Sequence, residues 1–227
     1  MKILQIRFLI AALLVCVVSI SPAMARKALP EVNDEGMELV KNSKLATVYA
    51  DPDADLGIYN RIWLLDATVA FKKNWKREQN RSYPLKVKDK DMLVIEEDIS
   101  GLFREVFTEE LLAGGYELTT EAGEDVLKIL PAIVDLDVHA PDIRSNPGRT
   151  YTFSESAGEM TLNLELFDSV TGDKIAKATD RKRDFQRGYL EWRTSVSNRA
   201  TAKRMMRSWA KALREALDEA RATTSGK

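Results

Sequence analysis

The sequence predicts an α+β (mixed α/β) fold. The expected form is a two-layer sandwich, one mostly antiparallel sheet of about five strands covered on one face by two long helices. Three observations carry that expectation. The elements run strand, helix, two or more strands, hairpin, helix. Both long helical stretches have a single apolar stripe, so both can cover the same face of one sheet. The stretch GEMTLNLELFDSVTGDKIAKATDR alternates Leu162, Leu164 and Leu166 with Thr161, Asn163 and Glu165 around a DSVTGD turn, the pattern of a hairpin with one buried face.

The first 25 residues read as a secretory signal peptide. Lys2 and Arg7 precede an apolar run from Phe8 to Ile20, Pro22 breaks it, and Ala23 and Ala25 supply the small residues a signal peptidase reads. Cleavage is expected after Ala25, with a periplasmic destination. Cys16, the single cysteine, sits inside the apolar run, with Val15 before it and VVSI after it. That is a poor lipidation context, so its lipidation stays open. The processed chain then has no cysteine, which excludes disulfides, thiolate nucleophiles and cysteine-based zinc sites. The 34 basic and 35 acidic residues are nearly balanced, and the signal carries only basic ones. The charge therefore gives no push towards nucleic acid.

Residues 26–58 read as an extended lead-in, with MELV as a short strand and DPDADLG as a turn cluster. A single domain is expected over 59–222, with 223–227 a disordered tail. RIWLLDATVAF, Arg61 to Phe71, reads as one strand buried on both sides. The stretch 72–90 holds eight basic residues together with Trp75 and Tyr83, and reads as a long loop that is mobile or binds a ligand. A strong helix follows, with Met92, Ile95, Ile99, Leu102, Val106 and Leu111 at helical spacing and Gly114–Gly115 as its stop. Tyr116 to Thr119 can start a second strand. Val126 to His139 reads as a third, in which Pro131 requires a bulge or an edge. The last helix is expected over Val196–Ala222, with Met206, Trp209, Leu213 and Leu217 on its apolar face.

Candidate sites are few. VDLDVHAPD places Asp135, Asp137 and His139, the only histidine, on alternate positions of a strand. This makes them the weak candidates for a metal, or for a metal-dependent hydrolase. Alternation also describes a solvated face, with Val134, Leu136 and Val138 turned to the helices. The three side chains would spread over about 14 Å, and a catalytic metal wants convergent ligands. DPDADLG imitates a calcium loop but has Leu56 and Ile62 where glycine and glutamate belong. Ser154 or Ser156 with His139 is weak support for a nucleophile, because no G-x-S-x-G elbow is present. No phosphate-binding glycine loop or H-E-x-x-H occurs. These features imply no cofactor and point away from an enzyme. The basic side of the last helix, Arg199, Lys203, Arg207, Lys211 and Arg214, could face an anionic lipid surface or an acidic partner. The favoured reading is a solvated outer face complementary in charge to the acidic first helix, since one apolar stripe facing a sheet already accounts for the pattern.

The elements DLGIYNRIWLLDATVAFKKNW, LAGGYELTTEAGEDVLKILPAIVDLDVHAPD and SAGEMTLNLELFDSVTGDKIAKATDRK resemble a bacterial secreted family, domain of unknown function 3313. Its members are often labelled lipoproteins. The resemblance covers most of the chain, with the DS-x-TG hairpin its most recognisable part. It implies an envelope location and no particular activity. The expected role is a non-enzymatic binding or structural module of the cell envelope. Its partner would be another envelope protein, with peripheral membrane contact and homo-oligomerisation left open.

Overall fold

The structure is a computed structural model that describes residues 29–82, 86–138, 152–154, 158–184, 191–193 and 195–226. The segment read as a signal peptide lies outside the described residues, as do Tyr83, His139 and Ser156. In chain order the elements are β1 Glu38–Leu39, β2 Thr47–Ala50, a 3-10 turn Leu56–Ile58, β3 Arg61–Leu64, β4 Thr68–Phe71, α1 Trp75–Ser82, α2 Asp89–Ala113, β5 Glu117–Leu118, β6 Val126–Val138, β7 Thr152–Ser154, β8 Gly158–Asp168, β9 Lys174–Arg183, β10 Glu191–Arg193 and α3 Ser195–Ser225.

The fold is mixed α/β, but the sheet is larger and less antiparallel than expected. Eight strands join in the order β1-β2-β9-β8-β6-β3-β5, with β4 also on β6, and β7 pairs with β10 separately. The pairs from β1 through β6 are antiparallel, whereas β3, β4 and β5 pair in parallel. The parallel part results from the crossover: α2 carries the chain back to the end where β3 began, so β6 starts beside it. The sheet also begins before Tyr59. Within the stretch read as a lead-in, β2 is paired to β9 from Thr47↔Thr179 to Ala50↔Ala176.

The stretch Arg61 to Phe71 is two strands rather than one, and Pro131 explains the break. Leu64 pairs with Ile129 and Thr68 with Ala132, so Leu65–Ala67 lies opposite the residue that has no N–H to give. Pro131 thus sits in a central strand, beside Leu164 of β8, because the ladder on its other side is interrupted there. A bulge comes next. Asp135 has φ 51 and the β6–β8 register shifts between Val134 and Asp137. The shift changes which residues face inward. Leu127, Ile129 and Ile133 are buried before it, and Leu136 after it. Leu136 is therefore inside as the alternation predicts, while Val134 is only half-buried.

The inward side of the sheet and the two long helices share one core. Leu162, Leu164 and Leu166 of β8 pack with Phe103, Val106, Phe107 and Leu111 of α2 and Met206, Trp209, Leu213 and Leu217 of α3. Trp209 is fully buried, and its indole N–H donates to Asp180 Oδ2 at 2.7 Å. The other oxygen of Asp180 accepts the Ala46 N–H at 3.0 Å. One carboxylate therefore satisfies a helix side chain and the backbone leading into β2. Gly115, at φ 78, is the left-handed stop after α2. The stretch after Phe71 is not a plain loop, because it contains α1. Trp75 stacks on Phe71 at 4.2 Å between ring centroids and donates from Nε1 to the Val138 carbonyl at 3.2 Å. At the other end of the chain α3 runs past the expected limit at Ala222, and Thr224 donates to Asp55 Oδ1 at 2.8 Å.

Candidate interaction surfaces

Two surfaces emerge where side chains with chemistry collect. The first is the outer face of the sheet. The hairpin places Thr161 opposite Arg181 and Glu165 opposite Lys177, the pairs that a simple register about Thr171 in the sequence predicts. The same register sets Glu159 against Arg183. Glu159 is buried, yet it accepts hydrogen bonds from Arg181 and from Arg183, the latter at 2.6 Å. Burial opposes its ionisation, but the two guanidinium groups outweigh burial and hold its carboxyl below the usual range. Lys72 lies 4.0 Å from Glu159 and 3.0 Å from Asp137. The hydrogen bond to Asp137 raises the Lys72 pKa.

At the opposite end of this face Lys174 bridges Glu165 at 2.9 Å and Glu35 at 3.2 Å. Between the two charged ends, β6 presents Leu130, Ala132 and Val134, paired across to Glu165, Asn163 and Thr161. Thr179 donates to Asn163 Oδ1 at 2.9 Å. Trp63 flanks the strip with Lys128 5.0 Å above its ring. Leu130 remains 38% exposed. The result is an apolar centre with a charged rim, the composition of a protein-contact patch.

The second surface is the side of α3 that carries the basic stripe. Arg199 lies 2.9 Å from Glu105, and Lys203 lies 2.6 Å from Glu105 and 3.5 Å from Glu109. Arg207 meets Glu109 at 3.4 Å. Arg214 meets Glu110 at 2.9 Å and Asp218 at 2.6 Å, and Lys211 reaches Glu215 at 3.9 Å. The stripe is thus laid along the carboxylates of α2. Lys203, by its hydrogen bond, holds the Glu105 carboxyl below the usual range. Tyr116 completes this seam. Its hydroxyl donates to Asp218 at 3.0 Å, Arg221 lies 4.1 Å over its ring, and burial pushes its pKa up to about 12.

Of the residues considered for a metal, Asp135 is the exposed bulge residue, Asp137 holds Lys72, and His139 lies outside the described residues. Among the described residues no group of three His, Cys, Asp or Glu could hold a metal ion. Two of the three aspartates of DPDADLG serve the backbone. Asp51 accepts from the Asp53 N–H at 3.0 Å and Asp55 from the Gly57 N–H at 2.8 Å. The cluster around Glu159 was missed by sequence reasoning. The hairpin register already contained the signal, since it pairs Glu159 with Arg183.

No helix among the described residues is long and apolar enough to cross a membrane. A family model described as "Protein of unknown function (DUF3313)" matches residues 32–213. No curated protein matches the chain. Solved structures similar to it include a PelC dodecamer from Paraburkholderia phytofirmans, at 8% identity, 74% coverage of this chain, 98% of that one and a TM-score of 0.36. A minor lipoprotein from Acinetobacter baumannii aligns at 11% identity, covering 70% of this chain and 91% of that one, with a TM-score of 0.32. Protein XCC0632 from Xanthomonas campestris aligns at 11% identity, 78% and 94% coverage and a TM-score of 0.39.

Proposed function

The chain belongs to the DUF3313 family, and from that premise we propose that it is a non-enzymatic binding module of the cell envelope whose contact surface is the outer face of the sheet. One observation carries this reading. The apolar strip Leu130–Ala132–Val134, with Trp63 beside it, lies between two charged ends, and none of the described helices packs on it. Central apolar area surrounded by a satisfied polar rim suits recognition of another folded protein. The proposed setting is the periplasm, reached through the N-terminal signal. The hydrolase alternative draws less support from the geometry, because Asp137 is engaged by Lys72 and the bulge offsets Asp135 from it.

The test is site-specific photocrosslinking in cells, with the probe at Val134 on the outer face and, for comparison, at Lys211 on α3. The proposal expects one discrete adduct from Val134, lost when Leu130→Asp is introduced and not formed from Lys211. Equal labelling from both positions, or none from Val134, would overturn it.

A further inference from the structure

The hairpin formed by α1 and the start of α2 collects several exposed cations that the ion pairs of the described residues do not use. On α1, Trp75 and Gln79 are buried, so Arg77 and Arg81 point away from the body, in line with Lys73 before the helix. All three cations are exposed, and among the described residues none has a carboxylate within ion-pair distance. Lys88 and Lys90, at the start of α2, are likewise exposed and, among the described residues, without a carboxylate partner. The two carboxylates in the first turn of α2 are engaged. Asp89 is held by Lys76 at 2.6 Å, and Asp91 accepts the Lys88 N–H at 2.8 Å. Glu78 is exposed on α1, and the acidic run Glu96, Glu97 and Asp98 begins just beyond Leu93 and Val94, so the excess of positive charge is confined to α1 and the first turn of α2.

The next residues of α2 add an apolar component. Leu93 is 58% exposed and Val94 43%. Large aliphatic side chains this exposed, just beyond Lys88 and Lys90, match a surface that offers negative charge outside and hydrocarbon beneath. A bilayer interface rewards both features together, whereas an acidic protein would satisfy the charge and leave the apolar pair unanswered. The α1 side holds its shape independently of any ligand. The Asn80 side chain accepts the Val87 N–H at 2.6 Å and donates to the Val87 carbonyl at 3.1 Å, clasping α1 to the residues just before α2.

We propose that this tip, with Arg77, Arg81, Lys88 and Leu93 at its centre, docks the protein on anionic phospholipid. It uses different residues from the outer sheet face, so the two surfaces fail or stand separately. The experiment is co-flotation of the protein, purified as the cell processes it. Vesicles of phosphatidylethanolamine with phosphatidylglycerol are compared with vesicles of phosphatidylcholine alone. Binding to the anionic vesicles only is expected, falling as salt rises. Arg77→Glu with Arg81→Glu should weaken it at least about tenfold. Leu93→Ser should weaken it less and leave the salt dependence unchanged. The charge-matched pair Lys41→Glu with Lys211→Glu, on other surfaces, should bind as the unaltered protein does. Absence of binding to anionic vesicles would overturn the proposal, as would equal losses in the two double variants. Retention on immobilised polyglutamate without vesicle binding would assign the tip to an acidic protein instead, and would also overturn it.

Discussion

Among the described residues, two basic helical surfaces look alike in sequence and differ in the fold. On α3, Arg199, Lys203, Arg207, Lys211 and Arg214 each stand within reach of a carboxylate, mostly from α2. On the α1 tip, Lys73, Arg77, Arg81, Lys88 and Lys90 have none among the described residues. The density of cations along a chain therefore says little about where a surface is positive. What decides it is whether folding brings acids opposite. The apolar stripe of α3 seats it on the sheet, and that seating lays its basic side against α2. α1 buries only Trp75 and Gln79, with Lys76 and Asn80 half-buried beside them, so Arg77, Glu78 and Arg81 stay in solvent.

If α3 is held from two sides, its deepest polar contact should produce the largest effect. Asp180→Leu leaves the Trp209 indole N–H and the Ala46 N–H without an acceptor. It should cost about 2–4 kcal/mol in urea unfolding, with Asp180→Asn costing less because one acceptor remains. A cost no larger than that of a surface substitution would mean that the seam with α2, not this contact, holds the helix. The next effect concerns the backbone beneath the paired cluster on the outer face. Gly158 has φ 125 and a side chain there would meet the Asp137 carbonyl oxygen. Gly158→Ala should destabilise by about 2 kcal/mol or more in the same assay.

The outer face repeats the α3 arrangement on a smaller scale, with Arg181 and Arg183 matched to Glu159. Glu159→Gln should cost about 1 kcal/mol, since both guanidinium groups can turn to water. It should also flatten the acid limb of the stability curve. The folded-state pKa of Glu159 is depressed. Its contribution is therefore present above the ordinary carboxylate value and is lost as pH falls through the depressed one.

The smallest effect belongs to the α2–α3 seam. The pKa of Glu105 is lowered by the Lys203 hydrogen bond, and that of Lys203 is raised by the same bond. The pairing is thus lost at the acid end as pH falls through the lowered Glu105 value. It is lost at the alkaline end as pH rises through the raised Lys203 value. Thermal melts across pH should lose part of that acid limb in Glu105→Gln. They should keep it in Arg77→Ala, which removes a cation that pairs with no described carboxylate.

Much of the fold was legible because it rests on local periodicity. Both long helices were, and so were the pairs Thr161↔Arg181 and Glu165↔Lys177, which a simple register about Thr171 gives, although the register shift between Leu166 and Phe167 was not visible. The parallel pairs were not, because they depend on where α2 returns the chain. β1 and β5 are two residues each, too short to show a pattern. The break between β3 and β4 has its cause in Pro131 of another strand, and the bulge at Asp135 shifted the facing of the β6 residues beyond it. α1 was hidden because WKREQNRS has no apolar stripe. Of the interaction surfaces, the basic stripe of α3 was visible as residues and ambiguous as function, since the partner helix is far away in sequence.

The contrast between the two basic surfaces is tested most directly by charge reversal and repair, followed by thermal denaturation. Lys203→Glu with Arg207→Glu should lower the melting temperature clearly. Adding Glu105→Lys and Glu109→Lys should recover most of the loss, because the ion pairs are rebuilt with the signs exchanged. Arg77→Glu with Arg81→Glu should leave the melting temperature within about 1 °C of the unaltered protein. An equal fall in both reversals, or no recovery in the four-fold variant, would contradict the account that α3 spends its charge inside the fold and α1 keeps its charge for the outside.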